Sequence, residues 1–195
     1  MFEPLVNNRP RLANVLAGAW ANKGNALQSL GQLTEAIAAY DRATSIRELL
    51  VNTRPELAND LVSDLADAWA DKGNALAGLG RLDEALAAYD RAIGLYEQLS
   101  AHPQPASNLA KAWGNKGNAL QRLRRLDEAL TASEQAIGIG EPLVTTHPEL
   151  AASLASAWMN KGLALKNLGR LAEALAAYDR AIAIREPLAN THRAS

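Results

Sequence analysis

The segment Trp20-Ala-Asn-Lys-Gly-Asn-Ala-Leu27 decides the fold, because close copies of it return three times along the 195-residue chain. The copies begin at Trp69, Trp113 and Trp158, at intervals of 49, 44 and 45 residues, and these four are all the tryptophans of the sequence. Self-similarity at such a period is typical of arrays of stacked units, each too small to bury its apolar face alone. The function is therefore expected on a repeated surface rather than in one pocket.

A second pattern, Leu33-Thr-Glu-Ala-Ile-Ala-Ala-Tyr-Asp-Arg-Ala43, follows the first tryptophan segment and has a relative after each of the others. Both patterns place apolar residues at helical spacing and contain few β-branched residues, which indicates amphipathic helices. Gly31, Gly80 and Gly169 fall between the two patterns, where a glycine can adopt the left-handed conformation that ends a helix. Each repeat is therefore predicted to consist of a helix, a tight turn and a second helix.

These residues resemble the tetratricopeptide repeat, whose pattern is Trp-x2-Leu-Gly-x2-Tyr, then Ala-x3-Phe, then Pro. The resemblance covers nearly the whole chain and implies an all-α, right-handed superhelix of four long helix-turn-helix repeats. The spacing exceeds the usual length of roughly 34 residues, and in this the chain resembles the long repeats of kinesin light chains. The matching positions are Trp20, Gly24, Leu27, Ala36 and Tyr40, then Trp69, Gly73, Leu76, Ala85 and Tyr89, then Trp113, Gly117, Leu120 and Ala129, then Trp158, Gly162, Leu165, Ala174 and Tyr178.

The resemblance predicts a single array over residues 1–195. A proline is expected in the first turn of each first helix, where its missing N–H does no harm, and these prolines are Pro10, Pro55, Pro105 and Pro148. Neither end shows a polar capping helix, so the ends are expected to meet further repeats or a neighbouring copy. The predicted repeats are about 10–53, 54–102, 103–146 and 147–192, with residues 1–9 as the tail of a preceding repeat.

The sequence departs from the family pattern at two places. A lysine replaces the leucine after Trp-x2 in every repeat (Lys23, Lys72, Lys116 and Lys161). We expect it to extend along the neighbouring helix with its amine near a carboxylate such as Asp71, while ligand binding by this row is the alternative. The third repeat has Arg124 where the turn glycine belongs and Ser133 where tyrosine belongs, so it is predicted to be the weakest.

In this family the first helices line a concave face, and residues two and five positions after each tryptophan point into it. Asparagine there offers a donor and an acceptor to the backbone of an extended peptide. The alternative is that these side chains only hold the packing together. Lys111 matches one position of a carboxylate clamp of the family, but the other basic positions are Ala21 and Asn115, so the clamp is incomplete. The predicted peptide-binding residues are Asn22, Asn25, Asp71, Asn74, Lys111, Asn115, Asn118 and Asn160, and the last +5 position is Leu163.

Composition and motifs exclude several functions. A net charge of −1 argues against a general nucleic-acid binder, and the absence of cysteine removes disulfides and thiolate metal sites. No apolar run is long enough to span a membrane and no signal peptide is recognised, so a cytoplasmic location is expected. His102, His147 and His192 recur one repeat apart and are interpreted as linker residues rather than metal ligands. No catalytic arrangement or phosphate loop is present, so neither enzyme activity nor a cofactor is expected.

We therefore expect a non-catalytic scaffold that holds a protein or peptide partner on the concave face. The alternative is a structural module whose copies stack end to end through uncapped terminal repeats, giving a homo-oligomer.

Overall fold

The computed structural model describes residues 2–54, 58–99 and 103–191. Within these ranges the chain is helical, with a 3-10 turn at Pro148–Leu150 and no strand, so the prediction of an all-α chain is confirmed. The helices are α1 (Glu3–Asn8), α2 (Pro10–Ser29), α3 (Leu33–Thr53), α4 (Ala58–Gly78), α5 (Leu82–Gln98), α6 (Pro103–Arg122), α7 (Leu126–Leu143), α8 (Ala151–Asn167) and α9 (Leu171–Thr191).

The chain forms two compact units, Met1–Leu99 and Ser100–Ser195. In the first unit α2 pairs with α3 and α4 with α5, and α3 also packs against α4. In the second unit α6 pairs with α7 and α8 with α9, and α7 also packs against α8. The first helices of the hairpins, α2 with α4 and α6 with α8, touch within each unit and share one face. That residues 1–195 form one array stays a prediction.

Each hairpin turns at a residue with a left-handed backbone. The φ angles of Gly31, Gly80 and Gly169 are 74°, 78° and 78°. Arg124 takes the same place in the third hairpin with a φ of 63°, and it is the one non-glycine residue with positive φ among those described. A side chain in this conformation costs about 1 kcal/mol or more. The predicted helix-turn-helix repeat is confirmed, and the third turn carries the expected strain.

The helices of a hairpin approach closely where a glycine faces a tyrosine ring. A Cβ atom added to Gly24 would lie 2.5 Å from Cε1 of Tyr40, and Gly162 has the same relation to Tyr178. In the second hairpin the corresponding distance between Gly73 and Tyr89 is 2.6 Å. Such distances leave no room for a methyl group, so glycine is required wherever the tyrosine is present.

Two of the four prolines, Pro10 and Pro105, lie in the first turn of a first helix, as predicted. Pro10 is the first residue of α2, Pro105 lies in the first turn of α6, and Pro148 opens the 3-10 turn that leads into α8. Pro55 lies outside the described residues, as do His102 and His192. His147 precedes the 3-10 turn, and its Nδ1 lies 3.0 Å from Oε1 of Glu149.

Each unit has its own apolar core. In the first unit Val6 of α1 is buried with Ala17 of α2, Ile46 and Leu50 of α3 and Leu61 of α4. A core cluster of the second unit joins Ala136 and Ile137 of α7 to Leu154 and Ala157 of α8, and the half-buried Trp113 and Trp158 pack against it. These clusters lie where adjacent hairpins meet, so packing between hairpins buries surface that one hairpin alone would leave in water.

Candidate protein-binding face

The predicted binding residues of the first unit lie on α2 and α4. Asn22 and Asn25 are exposed on α2, whereas Asp71 and Asn74 are half-buried on α4. Because α2 and α4 touch, all four lie on neighbouring helices of one unit. The exposed α2 pair is open to a ligand, and the α4 pair is more enclosed.

The asparagines five positions after tryptophan also bind tyrosines of their own hairpins. The Tyr40 hydroxyl donates to Oδ1 of Asn25 at 2.7 Å, and Tyr89 donates to Oδ1 of Asn74 at 2.9 Å. Each bond fixes the orientation of the amide. Sequence reasoning missed this pairing, although both pairs have the same separation of 15 residues along the chain. Asn25 therefore has a packing contact within its hairpin while its side chain stays exposed, and its predicted role in binding stays a prediction.

Asp71 stands where the other repeats have asparagine. Burial, with the charge of Asp67 one turn earlier, raises the pKa of Asp71 to about 6. Asp67 in turn accepts a hydrogen bond of 2.5 Å from the hydroxyl of Tyr96, whose own pKa is raised by burial and by the charge of Asp67. Two carboxylates on one helix face thus give the first unit a locally acidic patch.

In the second unit, the predicted residues of α6 are exposed. They are Lys111, Asn115 and Asn118, and they lie on successive turns of the helix. Leu163 of α8, which stands at the position of Asn118, is 41% exposed. The amide pattern is therefore interrupted by an apolar side chain on α8.

Asn160 of α8 joins the two first helices of the second unit. Its side-chain Nδ2 donates to the backbone carbonyl oxygen of Gly114 at 3.3 Å. The backbone carbonyl oxygen of Asn160 accepts from Nε2 of Gln121 at 2.6 Å. Asn160 is half-buried. Its side chain thus serves contacts between α6 and α8, which favours the packing role at this position.

Each tryptophan ring lies under the lysine three positions later. The distances from lysine Nζ to the ring centroid are 5.1, 4.5, 4.8 and 5.4 Å along the chain. In three repeats an arginine of the second helix adds a second cation, with Cζ 4.4 Å from the centroid of Trp20, 5.8 Å from Trp69 and 5.6 Å from Trp158. Such cation–π contacts are attractive. The arginines are Arg42, Arg91 and Arg180.

Two of these lysines also form ion pairs with the preceding hairpin. Nζ of Lys72 lies 2.6 Å from Oδ1 of Asp41, and Nζ of Lys161 lies 2.9 Å from Oε1 of Glu134. The predicted carboxylate, Asp71, is therefore the wrong partner for Lys72. Lys72 and Lys161 thus link adjacent hairpins, and this packing role is the one that their contacts favour.

The repeats match a known sequence profile. Residues 17–48, 66–99 and 155–186 match one profile of the tetratricopeptide repeat, which covers half of the chain. Residues 110–139 match a second profile of the same repeat. The chain belongs to the tetratricopeptide repeat family. Repeats of this family generally serve protein interactions as non-catalytic scaffolds.

Solved structures share the tetratricopeptide fold. BtubC (BKLC) from P. vanneervenii superposes with a TM-score of 0.71 at 20% sequence identity, over 90% of this chain. This chain spans 65% of the length of that protein chain, which is less than two thirds. MamA gives 0.64 at 20% identity, covering 97% of this chain and 87% of that one. A putative kinesin light chain of nearly identical TPR-like repeats from Podosopora anserina gives 0.62 at 18% identity over 88% and 76%, which confirms the resemblance to kinesin light chain repeats. Comparison with curated protein sequences finds no match.

One position in the C-terminal part of each second helix carries a different residue in each of the first three repeats. Arg47 is buried and binds the carbonyl oxygen and carboxylate of Asp64, at 3.0 and 3.1 Å. Burial lowers the pKa of this arginine despite the nearby carboxylate. Tyr96 holds the equivalent position in the second repeat and Gly140 in the third. With no side chain at Gly140, a cavity of about 10 Å³ remains there, lined mainly by alanines and leucines.

A larger pocket of about 380 Å³ lies in the first unit, between α3, α4 and α5. Trp69 and Leu65 contribute apolar surface, and Glu48 and Arg91 contribute charge. These two charged groups form an ion pair of 3.1 Å across the pocket lining. The pocket is lined mostly by second helices, so it is separate from the predicted binding residues.

Within the ranges that the structure describes, no group of three or more histidine, aspartate or glutamate side chains could hold a metal ion. No described helix is long and apolar enough to cross a membrane.

Proposed function

We propose that this tetratricopeptide chain is a non-catalytic scaffold that binds extended segments of a protein partner along the first helices of each unit. The observation that carries the proposal is the exposure of amide side chains at equivalent positions of α2 and α6, at Asn22, Asn115 and Asn118. Ala21 and Gly114 beside them are small, and a Cβ added to Gly114 would meet nothing within 4 Å, so a peptide backbone can approach there.

The proposed recognition is directed at the peptide main chain. A side-chain amide can donate to a backbone carbonyl and accept from a backbone N–H. Because the Asn25 oxygen already accepts from Tyr40, its exposed NH₂ group is the part that meets a peptide carbonyl. The acidic patch of Asp67 and Asp71 adds a preference for a basic side chain on the segment bound to the first unit.

Peptides of about 12 random residues, long enough to follow several turns of neighbouring helices, can be selected by phage display against the full chain. Asn22→Ala with Asn118→Ala should weaken binding of a selected peptide about tenfold, the loss expected for one or two hydrogen bonds. The matched control is Asn52→Ala with Gln98→Ala, which removes exposed amides of second helices and should leave affinity unchanged.

A second measurement separates main-chain recognition from side-chain recognition. Methylation of alternate backbone nitrogens of the selected peptide should abolish binding, whereas single alanine substitutions in the peptide should be tolerated at most positions. Equal affinity of the Asn22→Ala/Asn118→Ala variant and the wild-type protein, with no effect of backbone methylation, would reject the proposed binding row.

A further inference from the structure

Helix α9 leaves an apolar stripe open to solvent. Leu171, Leu175 and Ile182 are 61%, 65% and 51% exposed, and their spacing places them on one side of the helix. On α7 the equivalents of Leu175 and Ile182 are Leu130 and Ile137, which are only 9% and 7% exposed. They are buried because α8 packs against α7. The α9 stripe is therefore the surface that a following hairpin covers elsewhere in the chain.

Helix α2 presents the opposite half of the same kind of interface. Leu12 and Ala26 are exposed on α2, with Leu12 at 48%. Their equivalents are Leu150, in the 3-10 turn just before α8, and Ala164 on α8. Both are at most 1% exposed, because α8 lies against the preceding hairpin. The surface around Leu12 thus corresponds to the face of α8, and the α9 stripe corresponds to the face of α7. In the second unit α7 and α8 pack against each other through these faces.

The charges at these two surfaces are complementary. Both junctions between hairpins within the units pair the lysine of one hairpin with a carboxylate of the hairpin before it, Lys72 with Asp41 and Lys161 with Glu134. Lys23 of α2 holds the lysine place, and Asp179 of α9 holds the carboxylate place. Both are exposed, and no ion pair joins either one to another described residue.

We propose that α9 of one molecule docks on α2 of a second copy of this chain, in the arrangement that α7 has on α8. The docked helices bury Leu175 and Ile182 against Leu12 and Ala26 and form a Lys23–Asp179 ion pair. The two surfaces are different, so the contact is head to tail, and copies add one after another instead of closing as a two-fold dimer.

Helix α1 limits how much of α9 takes part. Glu3-Pro-Leu-Val6 aligns with Glu186-Pro-Leu-Ala189, and α1 already covers one end of α2, where Val6 is fully buried. The docked part of α9 is therefore Leu171–Arg185. Docking requires the last turns of α9, which is helical to Thr191 in the free chain, to bend away at Pro187. A proline has no N–H to bond to the residue four positions earlier, so a bend breaks the fewest hydrogen bonds there.

The test is a charge exchange followed by size measurement. Wild-type protein should show a mass that rises with concentration between about 1 µM and about 1 mM in sedimentation velocity. Lys23→Glu alone and Asp179→Lys alone should each weaken the association at least about tenfold, because like charges then face each other. An equimolar mixture of the two variants should associate again, since both junctions in the mixture carry opposite charges.

Asp83→Lys serves as the control for changing net charge, because Asp83 is exposed on α5, outside α2 and α9, and its association should equal that of the wild type. Leu175→Asp should remove association while leaving the melting temperature unchanged, as expected of a side chain exposed in the free chain. A wild-type chain that stays monomeric up to about 1 mM, or a mixture that stays as monomeric as its components, would overturn the proposal. Because neither variant touches the amide row, peptide binding is tested independently.

Discussion

The hydroxyl of Tyr40 donates a hydrogen bond to Oδ1 of Asn25 at 2.7 Å, which ties α3 to the exposed asparagines of α2. The same bond joins Tyr89 to Asn74 in the second repeat. The fourth repeat keeps the tyrosine, Tyr178, but has Leu163 at the asparagine position, and the third keeps Asn118 but has Ser133. The repeats thus provide a natural comparison with and without this bond.

Removing the hydroxyl should show what this bond contributes. Tyr40→Phe should lower the free energy of unfolding by about 1 kcal/mol, the net value of a partly buried hydrogen bond. Tyr178→Phe is the matched control and should change it by less than about 0.5 kcal/mol, because its partner position is Leu163. Urea unfolding followed by circular dichroism measures both. Equal losses in the two variants would show that the ring environment, and not the bond to Asn25, sets the effect.

The requirement for glycine should follow the tyrosine. Gly24→Ala brings a methyl group to 2.5 Å from Cε1 of Tyr40, so it should destabilise by about 1 to 3 kcal/mol despite the better helix propensity of alanine. In the third repeat, the Cβ of Gly117→Ala would lie 3.2 Å from Oγ of Ser133 and no closer than 3.5 Å to any other atom, so a shift of a few tenths of an ångström relieves the contact. The second variant should be neutral or slightly stabilising in thermal unfolding. A loss at Gly117 as large as at Gly24 would contradict this account.

The left-handed turn of the third repeat should be open to improvement. Arg124→Gly removes the strain of a side chain at a φ of 63° and should raise the free energy of unfolding by about 1 kcal/mol. Arg125→Gly is the adjacent control and should not stabilise, because Arg125 has a φ of −83° and pairs with Glu128 at 2.6 Å. No gain from Arg124→Gly in chemical denaturation would mean that the turn is relaxed as it stands. A gain would support the prediction that the third repeat is the weakest.

Asp71 should make stability depend on pH. Its pKa is about 6 in the folded chain against a usual 3.8, so the folded chain binds more protons than the unfolded chain between these values. The free energy of unfolding therefore decreases as the pH rises from about 4 to about 6. Asp71→Asn should stabilise by about 1 to 2 kcal/mol at pH 7, a range set below the full value of the shift because the side chain is partly exposed.

The advantage of Asp71→Asn should disappear below about pH 4, where Asp71 is protonated in both states. Thermal unfolding of the two proteins at about pH 3.5, 5 and 7 measures the difference. These pH values lie below, between and above the pKa of Asp71 in the unfolded and folded chains. Asp83→Asn, an exposed substitution on α5, is the control and should show no such trend. A constant difference across the pH range would mean that burial of the charge at Asp71 is not its cause.

The hairpins could be predicted from the sequence because their signals are local. The position of the turn follows from the spacing of Gly31, Gly80 and Gly169, and the left-handed Arg124 follows from the same register. Helix type follows from periodicity, which needs no knowledge of neighbours. These features depend on residues within one repeat, so each of the four copies predicts them independently.

The contacts between hairpins could not be predicted in the same way. Lys72 binds Asp41, which is 31 residues earlier, although Asp71 is its neighbour in sequence. The burial of Asp71 and the pairing of Arg47 with Asp64 likewise depend on how one hairpin lies against the next. The candidate binding residues were chosen by position in the repeat, which places them on the first helices but does not show that Asn160 serves a contact between α6 and α8.

The matching surfaces of successive hairpins also bear on how such a chain can lengthen over evolution. If a gene duplication copied the α8–α9 hairpin after α9, its new lysine would stand opposite Asp179, and its leucines would meet Leu175 and Ile182. No new contact surface would have to evolve, because the inserted hairpin carries both the first-helix surface and the second-helix surface of a junction. Recombination could therefore add or remove whole hairpins while every internal boundary kept its chemistry.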